Sequence, residues 1–181
     1  MTSPDHASGT DRMAEVAALL PDYPVLLNVQ GDEPLIDPAP LDALVEGFLA
    51  RPGASAGTLV RPARSRDEVD SPQTAKVVCD LDGRALYFSR SPIPFERDSS
   101  GWLGHMIHIG VYIYRREFLQ TYAALAQGPL ERLEKLEQLR VLEHGHRMMT
   151  VRTEAAFRGV DTMEDLQRVR AEVAARGLVP R

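Results

Sequence analysis

Apolar residues recur along this chain at two spacings, and their alternation lays out its architecture. Met13, Val16, Ala17 and Leu20 follow the i, i+3, i+4, i+7 spacing of a helix with one apolar stripe. Thr10 stands where a cap would sit, and Pro21 and Pro24 end the pattern. The short apolar run "VLLNVQ" predicts a strand. A second amphipathic helix follows through Leu41, Leu44, Val45, Phe48 and Leu49, and strand-type sequence returns in "SAGTLVRP". Helix, strand, helix, strand in that order predicts right-handed crossovers and a mainly parallel sheet covered on both faces, an α/β domain.

The middle of the chain changes pattern. "AKVVCD" and "RALYFS" are separated by Leu81, Asp82 and Gly83, a turn signal that predicts an antiparallel hairpin. A loop rich in Pro, Ser and Gly runs from Arg90 to about Gly104 and leads into the strand "IHIGVYIY". Helical sequence returns around "REFLQTYAAL". After a break at Gly128 and Pro129, "LERLEKLEQLRVLEHG" reads as a single helix closing near Gly145. "RMMTVRT" supplies another strand. The final helix, "TMEDLQRVRAEVAARG", has Thr162 as N-cap, Asp165 three residues on and Gly177 at its far end. No repeat, low-complexity segment or linker divides the chain, so residues 1–181 read as one domain.

Composition narrows the partners. With 181 residues, 44% hydrophobic and 26% charged, the chain has the make-up of an ordinary globular domain. A net charge of -5 and a pI near 5.5 argue against a general nucleic-acid or anionic-membrane surface, which needs clustered Lys and Arg. The single cysteine, Cys79, excludes an internal disulfide and a cysteine cluster for zinc, and reads as a buried structural thiol. No apolar run approaches the roughly 20 residues of a membrane span. "MTSPDHASGT" lacks the pattern of a secretory signal, so a cytoplasmic location is expected.

Ligands of open α/β sheets gather beyond the carboxyl ends of strands, which draws attention to "GDEP" after the first strand. Gly31 permits a sharp turn and Pro34 stops the strand, leaving Asp32 and Glu33 at the sheet edge, as a solvated turn or as a site. Asp161 in "RGVDTMEDL" precedes a helix cap, where the macrodipole alone would favour an acid. The two carboxylates could also converge on a hard cation, since Mg²⁺ takes one or two carboxylates plus substrate phosphates.

Arg90 follows a strand and opens a Pro-restrained loop, which suits a fixed guanidinium for an anionic group as well as a surface arginine. His108 and Tyr112, four apart on a strand, share a face, and a core histidine fits that placement too. Glu137 and Gln138 lie in the leucine-rich helix, whose default is a solvated face supported by Glu131 with Lys135 at i, i+4. Residues 6–12, "HASGTDR", offer backbone N–H groups at a helix start, for an anion or merely for a cap.

Taken in order, "MTSPDHASGTDRMAEV", "LLNVQGDEPLI", "AKVV", "ALYFSRSPIPFERD", "HIGVYIYRREFL", "PLERLEKLEQLRVLEHG" and "GVDTMEDLQRVRA" resemble the 3-deoxy-manno-octulosonate (Kdo) cytidylyltransferases, also called CMP-Kdo synthetases. The likeness extends over nearly all of the chain. It implies a nucleotide-diphospho-sugar transferase fold in which CTP and Kdo give CMP-Kdo and pyrophosphate for lipopolysaccharide synthesis. By resemblance, Asp32 and Asp161 match Mg²⁺-binding catalytic aspartates. Ser8, Gly9, Thr10, Arg12 and Gln30 match positions lining the cytidine nucleotide. Arg90, His108, Tyr112, Glu137 and Gln138 match the sugar-acid pocket. The hairpin at residues 76–89, within a region spanning 65–115, resembles the part that forms a homodimer.

The pattern departs from the family in two places. The family's proteins open with a strand, a glycine-rich loop carrying an Arg and a Lys for the triphosphate, and a further helix and strand; this sequence starts past that pattern. An N-terminally truncated domain of very low activity on its own is therefore expected. Ala7 stands where the family commonly has glutamine. The competing readings are a catalytically incompetent dimerisation or sugar-acid-binding module, and a cytidylyltransferase for a Kdo analogue.

Overall fold

The computed structural model of the chain describes residues 2–177 except 7, 99, 102, 103, 156, 158 and 161. Helix α1 (Gly9–Leu19) leads into β1 (Val25–Asn28), α2 (Pro38–Leu49), β2 (Ala56–Pro62) and a short α3 (Arg66–Asp70). The hairpin β3 (Lys76–Cys79) and β4 (Ala85–Ser89) precedes the long strand β5 (Met106–Arg115) and α4 (Arg116–Ala124). Two short helices, α5 (Pro129–Glu134) and α6 (Gln138–Glu143), then β6 (Met148–Arg152) and α7 (Met163–Ala175), complete the order. No helix among the described residues is long and apolar enough to cross a membrane.

The domain is α/β with helices on both faces, and the hairpin is antiparallel as its turn signal predicts. The expectation of a mainly parallel sheet needs correcting. The six strands run β4-β3-β5-β2-β6 with β1 also on β5, and only β2 with β6 pairs in parallel. β1, α2 and β2 do form a crossover with both strands pointing the same way, but β5 lies between them, antiparallel to each. A crossover helix fixes the direction of its strands; adjacency is decided by whichever later strand fills the gap.

β5 has β2 along one side for its whole length, and on the other side two strands in succession. β1 pairs with residues 112–115 and β3 with residues 106–107, so the sheet forks between them. At the fork β5 carries a bulge: Thr58 pairs with Tyr112 while Leu59 pairs with Ile109. The Thr58 hydroxyl, fully buried, fills the irregularity by hydrogen bonding with the carbonyls of Ile109 and Val111 at 3.0 and 2.8 Å. Bulges re-aim strands beside functional clefts.

Each face of the sheet carries its own apolar core. Alternate residues of β2, β5 and β6, among them Ala56, Val60, Tyr114 and Met148, pack under α1, α4 and α6. Their neighbours Leu59, Ile109, Val111, Ile113 and Met149 pack against Leu44 and Phe48 of α2. This is the period-two division expected of a sheet buried on both faces.

Local chemistry explains most helix boundaries. Ser8, rather than Thr10, caps α1: its hydroxyl oxygen accepts the Asp11 N–H at 3.1 Å and donates to the Asp11 carboxylate at 2.7 Å. Asp37 caps α2, whose first residue is proline, and Thr162 with Asp165 forms the predicted capping box of α7. The leucine-rich segment is not the single helix its spacing predicts. Lys135 adopts a left-handed conformation (φ 55°, ψ 45°), so α5 ends there and α6 begins three residues later. Cys79 is half-buried, 3.5 Å from the Thr150 hydroxyl, and burial pushes its thiol pKa up, away from the reactive thiolate.

Candidate active site

The fork in the sheet opens into a cleft made of two cavities of about 250 and 460 Å³, which share Gly110 of the β5 bulge and Leu136 of the α5–α6 turn. β1 ends at the cleft, α1 begins beside it, and the turn between α5 and α6 forms its far wall.

The smaller cavity gathers Gly9, Thr10, Gln30, Tyr112, Glu137 and Gln138, together with Asn28 and Lys135, which sequence reasoning did not single out. Their positions are interlocked. Thr10, in the first turn of α1, donates its hydroxyl to Glu137 at 3.0 Å and its N–H to the same carboxylate at 3.3 Å. The Thr10 and Tyr114 hydroxyls lie 3.1 Å apart. Tyr112 donates to the side-chain oxygen of Gln138 at 3.3 Å. That leaves the buried amide nitrogen of Gln138 without a partner. Burial first, and the neighbouring Tyr114 and Glu137 after it, hold the Tyr112 pKa far above the ordinary phenol value, so it remains a donor.

The larger cavity is lined by Arg90 and His108, with Glu33, Arg61, Gln73 and Thr74. The Arg90 guanidinium is anchored through Nε to the Glu134 carbonyl at 2.8 Å and through Nη1 to the carbonyls of Pro72 and Gln73 at 2.9 and 3.5 Å. None of these bonds uses Nη2. Its backbone is fixed as well, since its N–H donates to the Glu134 carboxylate at 2.9 Å. Lys76 holds the same wall. Fully buried, its ammonium donates to the carbonyls of Ser71 at 2.8 Å, Thr74 at 2.5 Å and Arg90. Desolvation, followed by repulsion from Arg90, lowers its pKa. A lysine inside the apolar run "AKVV" was the available signal for this buried cation.

His108 lies edge-on to Phe88 at 5.3 Å and beside Tyr112 at 5.4 Å between ring centroids. Its Nε2 is enclosed without a hydrogen-bond partner, and desolvation pulls its pKa down to about 4. The ring is therefore neutral at pH 7. Arg61 forms a bidentate pair with Glu68 at 2.5 and 2.9 Å, which leaves the cavity a second guanidinium of largely compensated charge.

Other predicted residues stand outside the two cavities. Ser8 acts as the α1 cap, and Arg12 braces the preceding segment by donating to the Thr2 hydroxyl at 2.6 Å and the Ser3 carbonyl at 2.7 Å. Asp32 projects from the exposed turn after β1, and its carbonyl accepts the Val160 N–H at 2.9 Å. Glu33, next to it, lines the larger cavity. Asp161 and Ala7 lie outside the described residues. Glu131 does not pair with Lys135 on a solvated face: it is buried and bound to Arg140. Among the described residues, no group of three or more His, Cys, Asp and Glu forms a metal cluster.

Residues 1–150 match the model of the cytidylyltransferase family. The 3-deoxy-manno-octulosonate cytidylyltransferase of Solibacter usitatus is 51% identical over 169 residues, 93% of this chain and 67% of that protein. The enzyme of the same name from Syntrophotalea carbinolica is 50% identical over 98% of this chain and 73% of its own length. The chain belongs to the 3-deoxy-manno-octulosonate cytidylyltransferase family. A solved CMP:2-keto-3-deoxy-manno-octonic acid synthetase complexed with CTP superposes with a TM-score of 0.90 at 41% identity, covering 97% of this chain and 72% of that one. Beyond the 3-deoxy-manno-octulosonate cytidylyltransferases, a putative glucose-1-phosphate thymidylyltransferase from Bacillus anthracis shares the fold at 14% identity, with a TM-score of 0.57 over 94% of this chain and 62% of that one.

Proposed function

We propose that this chain transfers the cytidylyl group of CTP to Kdo, giving CMP-Kdo and pyrophosphate. One observation carries the reading. A single cleft presents a braced guanidinium at Arg90 and two enclosed nitrogens without partners, at His108 and Gln138, beside the opening turn of α1. Buried polar groups left unpaired in a protein are matched by a ligand or water. A sugar acid, with one carboxylate and many hydroxyls, satisfies all three.

Arg90 holds the carboxylate through Nη2, which its bonds to the surrounding carbonyls leave unused, and because Nε and Nη1 are locked to those carbonyls little rotamer freedom is lost on binding. His108 and Gln138 bind sugar hydroxyls, and Tyr112 orients Gln138 through its oxygen. Glu137, fixed on Thr10, ties the sugar side of the cleft to the nucleotide side formed by Gly9, Thr10 and Gln30. Ser8 and Arg12 shape that nucleotide side by capping and bracing α1. The anomeric oxygen of Kdo forms a bond to the α-phosphorus of CTP, the bond from that phosphorus to the β-phosphate bridge breaks, and the hydroxyl proton passes to solvent. Holding both reactants in line supplies much of the acceleration in such displacements.

Asp32 offers an exposed carboxylate on a turn held through its backbone carbonyl by the Val160 N–H, a donor suited to a hard cation. Together with Asp161 it would hold Mg²⁺, which when bound supplies charge neutralisation at the phosphate oxygens. The hairpin β3–β4 leaves Leu81 fully exposed and Leu86 60% exposed, apolar surface that suits the interface of a homodimer. The reaction's soluble substrates fit a cytoplasmic protein.

The test is pyrophosphate release from CTP with Kdo and Mg²⁺, alongside calorimetric titration of each substrate. The reading predicts binding of both, and formation of CMP-Kdo rather than of a sialic acid conjugate. A protein that binds neither CTP nor Kdo overturns it.

A further inference from the structure

Lys135 carries the positive φ that ends α5 and reverses the chain into α6, and among the described residues it is the one non-glycine residue in that conformation. The left-handed region costs a side-chain-bearing residue about 1–2 kcal/mol, and glycine occupies helix ends of this kind without that strain. A lysine held there is therefore expected to do something with its side chain that glycine cannot.

Its surroundings indicate what. Lys135 lines the smaller cavity, and among the described residues it is the only cationic one that does so. The acid four residues before it in sequence, Glu131, is committed to Arg140 at 2.6 and 2.7 Å, and no ion pair to Lys135 exists among the described residues. The nearest acid along the cavity wall, Glu137, is engaged by the hydroxyl and N–H of Thr10. Lys135, exposed and with no ion-pair partner among the described residues, thus borders a cavity whose other lining groups are neutral or already paired.

We infer that Lys135 places its ammonium against a phosphate oxygen of the bound nucleotide, the left-handed bend serving to aim it across the cavity from the first turn of α1. The inference rests on the functional reading above and adds to it a positioning residue. A phosphate is favoured over the sugar carboxylate because that carboxylate already has a guanidinium, Arg90, in the other cavity, whereas the cavity of Lys135 joins Gly9 and Thr10 to the groups given to sugar hydroxyls, Tyr112 and Gln138.

The experiment compares Lys135→Gly, Lys135→Arg and the wild type by calorimetric titration with CTP, cytidine and Kdo, at two salt concentrations. Lys135→Gly relieves the backbone and removes the charge. It should melt at the same or a higher temperature yet bind CTP about 5- to 30-fold more weakly, with a flatter salt dependence, as expected for loss of one charge-assisted contact. Cytidine, which has no phosphate, and Kdo should bind as to wild type, and Lys135→Arg should retain most of the CTP affinity. Unchanged CTP binding by Lys135→Gly overturns the inference, as does an equal loss for cytidine or a loss confined to Kdo. A wild-type protein that binds no CTP overturns the functional reading itself, a result distinct from all of these.

Discussion

Arg140 grips Glu131 through two hydrogen bonds of 2.6 and 2.7 Å, with both side chains only 4% exposed. Nine residues of continuous helix would set them about 13 Å apart along the axis. The bend at Lys135 folds α6 back beside α5, and this buried pair locks the fold. Arg140 also lies over the Tyr122 ring, 4.5 Å from its centroid, and 3.6 Å from the Asp11 carboxylate of α1. Removing one partner strands the other: Glu131→Gln or Arg140→Met should lose about 3–5 kcal/mol in urea denaturation. Sugar-acid affinity should fall with it, because Glu137 and Gln138 sit on the turn that the pair supports.

Gly128 is fixed by the same hairpin. A Cβ there would lie 2.3 Å from the Glu143 carboxyl group, which accepts the N–H groups of Leu130 and Glu131 at 2.8 and 3.0 Å and so caps α5 from across the turn. Gly128→Ala should expel that carboxylate and cost about 1–2 kcal/mol, the usual worth of a lost cap. Glu143→Ala should cost a similar amount. The double variant should be no worse than either single one in the same denaturation assay, since both remove one interaction.

His108 should make stability depend on pH. Its folded-state pKa, about 4, lies below the ordinary value of 6.5, so the unfolded chain binds a proton that the native ring refuses. The stability its neutral form contributes is present above pH 6.5 and is lost as pH falls toward 4, by at most about 3 kcal/mol. His108→Gln should flatten that part of the stability profile, measured by denaturation between pH 7 and pH 4.5.

Arg90→Lys tests whether the fork of the guanidinium matters rather than its charge. An ammonium cannot bridge the Glu134, Pro72 and Gln73 carbonyls while also meeting a carboxylate. Both Arg90→Lys and Arg90→Ala should therefore weaken Kdo binding, the second by roughly 10- to 100-fold for a lost charge-assisted bond. CTP binding should be nearly unchanged in the same titrations.

Much of this architecture is legible from spacing alone, because amphipathic periods and turn residues are local. The α2 stripe, the β3–β4 hairpin around Gly83 and the Thr162–Asp165 box all form where the sequence puts them. Non-local competition hides the rest. β5 slips between β1 and β2, which no local pattern announces. Ser8 outcompetes Thr10 as cap because the Thr10 hydroxyl is taken by Glu137, 127 residues away in sequence. The helix break at Lys135 runs against a regular leucine period, since the buried Glu131–Arg140 pair and the Glu143 cap favour reversal. Resemblance singled out Arg90, His108, Tyr112, Glu137 and Gln138, which all line the cleft, whereas Arg61 and Asn28 reach its walls only through the fold.

The cleft is proposed to bind nucleotide together with a cation held at the end of β1. Titration of CTP into wild-type protein and Asp32→Asn, each with Mg²⁺ and with a chelator, tests it most directly. CTP binding by the wild type should depend on Mg²⁺, and Asp32→Asn should weaken it by at least tenfold with the circular dichroism spectrum unchanged. Equal CTP affinity in all four titrations would contradict it.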